Sequence, residues 1–151
     1  MPKTPNVSLG EPLFADTVNE LQNNLSLKIG MNAYAYDGGL YSTNSQTYVN
    51  MDGTNLNKSF NTKGNDFLIA FSCSMYTNFN GTEIYIRLLI DGVEVLERRT
   101  KKDITTHREV HPIYYLAQGY SAGAHTVTIQ WRVNQAAQGS TDIVTFFIME
   151  F

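Results

Sequence analysis

From Asp66 onward, apolar and polar residues alternate along the chain. Phe67, Ile69, Phe71, Cys73 and Met75 share one parity, as do Ile84, Ile86, Leu88 and Ile90, and again Val127, Ile129, Trp131 and Val133. A period of two held this long predicts antiparallel strands with one face on a core. The closing run, 142–151, is more continuously apolar and reads as a buried last strand, because a loose apolar end would invite aggregation. Turn-forming clusters at Asp37-Gly38-Gly39, 52–55, 63–65, 78–81, Asp91-Gly92 and 120–124 divide the chain into strands. These are predicted over 27–36, 40–51, 56–62, 66–76, 82–90, 93–100, 109–117, 125–133 and 142–151. Asp91-Gly92 is the strongest of these signals, since the pair suits the two positive-φ positions of a type I′ hairpin turn. Eight or nine strands without βαβ spacing predict an all-β fold, an antiparallel β-sandwich of jelly-roll type.

The start of the chain has a different pattern. Residues 1–13 carry three of the four prolines and no periodicity, which predicts an extended arm. It could reach roughly 45 Å when stretched, well beyond the ~15 Å radius of gyration of a domain this size. A short helix is predicted over 16–25. Thr17 and Glu20 have capping-box spacing, and Phe14, Val18, Leu21 and Leu25 form one apolar stripe. Two packings compete for that stripe: the sandwich of its own chain, or a short bundle with copies of itself. Ten residues are too few for a free helix, so a self-associated neck would need support from contacts between β-domains. The expected division is an arm and helix over 1–28, serving attachment, and a β-domain over 29–151.

Composition narrows the function. A chain of 151 residues holds one domain with a proper core. A net charge of −3 argues against a nucleic-acid partner, which calls for a concentrated basic face. The basic cluster Arg98-Arg99-Thr100-Lys101-Lys102 reads as protection of a strand edge. No apolar run is long enough to span a membrane and no secretion signal is present, so synthesis in a cytoplasm is expected. Cys73 stands alone on an alternating face, which predicts a small buried hydrophobe rather than a nucleophile or thiolate ligand.

Candidate chemistry is sparse. His107 and His111 are four apart, but Pro112 and the β-rich residues after it predict a strand. On a strand the two would sit about 13 Å apart, too far to share an ion. His125 is expected to cap a turn, and Asp37, Asp52, Asp91 and Asp103 lie in or near turns for backbone reasons. No nucleophile elbow, phosphate loop or Cys/His cluster occurs, so neither catalysis nor a cofactor or metal is expected. The remaining signal is aromatic. Nine tyrosines exceed what one small core absorbs, and tyrosines with one wet end suit subunit interfaces and carbohydrate platforms alike.

Two segments resemble known proteins. The stretch from Leu56 through Ser72, then Arg87 through Val95 and Leu116 through Trp131, is similar to a β-sandwich module of tailed-phage virion proteins. That module resembles the C1q/TNF-type jelly roll. Upstream, Gly10-Glu-Pro-Leu-Phe-Ala-Asp-Thr-Val-Asn-Glu-Leu21 is similar to a segment near the start of phage tail, baseplate and fibre proteins. Val18 stands where that pattern usually has Leu. The resemblance implies a non-enzymatic phage structural protein on the virion surface, made in the host cytoplasm. It would be a homotrimeric knob decorating the capsid or forming a short head or tail fibre. Its partners would be copies of itself and capsid or tail proteins. In such a trimer Tyr85, Tyr114 and Tyr115 are the expected interface residues. The rival reading is a receptor-recognising tip whose tyrosines stack on host-surface glycan.

Overall fold

The computed structural model describes residues 31–102 and 108–151, with side chains over 41–101 and 108–151. The expected arm, the helix bearing Phe14, Val18, Leu21 and Leu25, and His107 lie outside the described residues. The described chain forms nine strands: β1 (Met31–Thr43), β2 (Val49–Asn50), β3 (Asn57–Thr62), β4 (Phe67–Thr77), β5 (Thr82–Ile90), β6 (Val93–Lys102), β7 (Glu109–Ala117), β8 (Gly123–Val133) and β9 (Gly139–Glu150). All pair antiparallel, in two sheets. One sheet has the order β1-β9-β4-β7. In the other, β2 and β3 both pair with β8, which continues to β5 and then β6.

The pairing is nested. β5 pairs with β6, β4 with β7, β2 and β3 with β8, and β1 with β9, and successive pairs alternate between the sheets. One long hairpin, wound over on itself, gives this pattern. Its tip is the turn predicted at Asp91-Gly92, where φ is 52° and 80°, the two positive values a type I′ turn requires.

Alternation places the core as the sequence predicts. Ile84, Ile86, Leu88 and Ile90 of one sheet and Phe67, Ile69, Phe71 and Cys73 of the other join Trp131 and Phe146 in a single buried cluster. Each fully buried large apolar side chain contributes about 1.5–3 kcal/mol. Cys73 is 1% exposed, as its parity demands. The basic cluster lies on β6, an edge strand, and Pro112 lies on the edge strand β7. An edge tolerates proline because only one side of the strand needs ladder hydrogen bonds.

Three expectations change. Asp37-Gly38-Gly39 is not a turn between strands. It is an irregularity within β1, whose two halves both pair with β9, the register shifting between Asp37 and Tyr41. The expected strand over 40–51 accordingly divides: its start belongs to β1, and only Val49–Asn50 pairs with β8. The last strand begins at Gly139, earlier than the predicted 142, and Phe151 lies beyond it, 56% exposed. β9 itself runs between β1 and β4, inside its sheet.

Candidate functional site

The outward faces of the two sheets differ in chemistry. On the five-stranded sheet, outward positions of β5 and β8 carry Glu83, Tyr85, Arg87, Gln130 and Arg132, which find partners among themselves and in β6 and the 44–50 segment. Arg87 donates to Gln130 Oε1 through Nε (2.9 Å) and Nη2 (2.7 Å), and pairs with Glu94 at 3.1 Å. Its guanidinium also lies 3.9 Å from the centre of the Tyr48 ring. Arg132 lies 3.7 Å from the Tyr85 ring centre, and the Tyr85 hydroxyl donates to Glu83 at 2.6 Å. Tyr48 donates to the Glu97 carboxylate. Burial first, and then that hydrogen bond, push the Tyr48 phenol up to about 12. This face is a polar lattice in which Arg87 pairs with Glu94 and Arg99 with Glu83, and Arg87 and Arg132 cap tyrosine ring faces.

The four-stranded sheet presents the opposite. Its cross-strand rows are Leu116–Leu68–Met149, Tyr114–Ala70–Phe147 and Pro112–Ser72–Thr145 across β7, β4 and β9. These three rows hold no charged side chain. Tyr114 is 67% and Leu116 49% exposed, and Val110 and Ile143 extend the apolar surface along β7 and β9. Strand β9 explains why its run looked continuously apolar. Val144, Phe146 and Ile148 enter the core, while Ile143, Phe147 and Met149 occupy the other face. A strand apolar on both faces is the composition of one covered on both faces. A contiguous outward apolar area is what an interaction surface presents.

The three tyrosines expected at an interface do not share one patch. Tyr85 is on the outward polar face of the five-stranded sheet. Tyr114 is on the outward apolar face of the other sheet, and its neighbour Tyr115 turns inward against the core. The sequence reading missed Leu68, Phe147 and Met149 on the apolar face. For Phe147 and Met149 the signal was the unbroken apolar run itself, absorbed into the expectation of a buried strand, whereas Leu68 stands at an off-parity position of the alternating strand over 66–76.

The remaining polar groups tie the loops together. Burial alone would raise Asp52. Hydrogen bonds from the Tyr41 hydroxyl (2.5 Å) and from the Asn55 and Thr54 amides instead hold it down to about 2. Glu150, 5% exposed, accepts from the Thr62 hydroxyl (2.5 Å) and the Lys63 amide (2.7 Å), which outweigh burial and lower its carboxyl. His125 caps its turn as expected, donating from Nε2 to the Ser121 carbonyl at 2.9 Å, while Nδ1 meets Asp91 at 2.6 Å. His111 pairs with Glu109 at 3.4 Å. Among the described residues no three His, Cys, Asp or Glu side chains gather where a metal ion could sit, and no helix is long and apolar enough to cross a membrane.

No protein-family model and no curated protein sequence matches the chain. Among solved structures, the fold is similar to that of a chain in the structure of infectious bursal disease virus, Gx strain. The identity is 12% and the TM-score 0.52, over 79% of this chain and 32% of the viral one. This chain thus spans about a third of the viral chain it matches. The insecticidal delta-endotoxin Cry8Ea1 of Bacillus thuringiensis gives 11% identity and a TM-score of 0.47, over 72% of this chain and 19% of the toxin. The described residues are all-β, built of antiparallel sheets, and their fold is shared with a segment of a chain in a virus structure.

Proposed function

We propose that this protein is a non-enzymatic structural component of a virus particle, a homotrimeric knob whose subunits meet through the outward face of the four-stranded sheet. The observation that carries this reading is the contrast between the two outward faces. One is a polar lattice of arginines, acids and tyrosines suited to water, and the other carries, across β7, β4 and β9, three uncharged rows in which Tyr114 and Phe147 flank the buried Ala70. Copies of the same chain supply an apolar partner at matched concentration, and an off-axis patch joined around a three-fold closes without leaving an open end. The nested strand pairing supports a jelly-roll sandwich of the C1q/TNF type. The fold shared with a virus structure supports the setting, and the resemblance of the sequence to tailed-phage proteins supports a phage. In this reading the arm and helix of residues 1–28 seat the knob on capsid or tail proteins at the virion surface.

A paired substitution tests the assignment of faces. Leu116→Glu places a charge in the apolar rows and should dissociate the trimer. Thr126→Glu places the same charge on the polar face and should leave the mass unchanged. Equal behaviour of the two variants would overturn the assignment. The glycan-binding reading stands second because stacking on sugar needs open ring faces. Those of Tyr48, Tyr76 and Tyr85 carry the guanidiniums of Arg87, Arg108 and Arg132, whereas Tyr114 lies on the face assigned to subunit contact.

A further inference from the structure

Five arginines fall among the described residues, and four have partners there. Arg87 pairs with Glu94, Arg99 with Glu83 and Arg108 with Asp142, while Arg132 stacks on Tyr85. Arg98 has no ion pair, hydrogen bond or ring contact among the described residues. It stands on the edge strand β6 opposite Ile86, at the rim of a recess of about 90 Å³ that opens between the free edges of β6 and β7. The floor of the recess is apolar, made by Met75, Ile86 and Ile113, each at most 2% exposed. Arg99, Thr100, His111 and Pro112 complete the rim with Arg98.

This combination selects a ligand class. A guanidinium without an acid partner presents a planar fork of donors that matches a carboxylate in two hydrogen bonds. The floor offers nothing to a second charge or to a sugar hydroxyl, and favours an aliphatic stem. The volume is that of about three waters at ~30 Å³ each, which sets the stem at a few carbons. Of the other two basic rim groups, Arg99 pairs with Glu83 at 3.7 Å and His111 with Glu109 at 3.4 Å, so the attraction for an anion rests on Arg98.

We propose that the recess binds a short aliphatic monocarboxylate, its carboxylate on Arg98 and its chain over Met75, Ile86 and Ile113. The recess is lined by residues of one subunit, and its Pro112 also borders the face proposed for subunit contact. Titrating the isotope-labelled full chain with butyrate, followed by amide NMR, tests it. Saturable shifts at 98–100 and 111–113 with affinity on the order of millimolar are expected. The uncharged isostere butyramide should bind about tenfold more weakly or worse. Arg98→Gln should lose the response. Arg132→Gln, on the outward face of the sheet against Tyr85, should keep it. Shifts that persist in Arg98→Gln, equal binding of butyrate and butyramide, or no saturation with butyrate would each overturn the proposal and leave Arg98 as a cover for the open edge.

Discussion

His125 on β8 and Asp91 at the β5–β6 turn meet at 2.6 Å, while the other imidazole nitrogen faces the Ser121 carbonyl at 2.9 Å. Both ring nitrogens therefore face oxygen acceptors, and only the doubly protonated imidazolium has an N–H for each. The cation lies between the Phe60 and Tyr120 rings, 6.2 and 5.4 Å away between centres. It joins the 120–123 turn to the hairpin tip.

This pair predicts a defined pH dependence. Asp91 first, and then the Ser121 carbonyl, raise His125 above its ordinary 6.5. Its contribution is complete below pH 6.5 and is lost as pH rises through the folded value. The His125 bond chiefly, with the Thr126 amide adding to it, lowers Asp91 below 3.8. That contribution is present above pH 3.8 and is lost as pH falls through the folded value. The other titratable group facing the pair is Tyr120. Burial first, and then its neighbours Tyr115 and Asp91, push its phenol up, so it stays neutral across this range. Thermal melts should show stability falling just above pH 6.5 in the native chain, and Asp91→Asn should remove that slope. An unchanged slope in the variant would assign it to another group.

Glu150 anchors the β3–β4 turn to the last strand through Thr62, Lys63 and Asn65. Glu150→Leu should cost about 1–3 kcal/mol in urea unfolding, since it strands a buried hydroxyl and two amides without an acceptor. Glu150→Gln keeps an acceptor oxygen and should cost less. Equal loss in the two variants would point to packing rather than hydrogen bonding.

Two glycines should fail for different reasons. A Cβ at Gly92 would meet nothing within 4 Å, but φ there is 80°, so Gly92→Ala should cost about 1–2 kcal/mol through backbone strain alone. A Cβ at Gly139 would lie 2.9 Å from Val133 Cγ1, so Gly139→Ala overpacks the core by about 1–3 kcal/mol. Val133→Ala should partly rescue the second variant and leave the first unimproved. A double-mutant cycle on urea unfolding reads both.

Much of this architecture is legible in the alternation. The parity of Phe67 to Met75, Ile84 to Ile90 and Val127 to Val133 places the core, and Asp91-Gly92 marks the hairpin tip. The Asp37-Gly38-Gly39 segment misleads because three turn-prone residues are also compatible with an irregular stretch of strand. Only the long partner β9, invisible locally, decides between them. The apolar face was hidden for a related reason. Phe146-Phe147-Ile148-Met149 is apolar at both parities, so the run marks burial without saying that each parity faces a different surface. Tyr85, Tyr114 and Tyr115 were grouped by residue type, and pairing register separates them. The Arg87 and Arg132 clamps on tyrosine depend on the same cross-strand register, which no single strand contains.

The mass of the intact protein in solution, by light scattering at micromolar concentration, bears most directly on the claim that the sheet carrying Tyr114 and Phe147 is covered by copies of the same chain. The account predicts three times the 17.0 kDa of one chain. A particle of 17.0 kDa that stays single as concentration rises would contradict it.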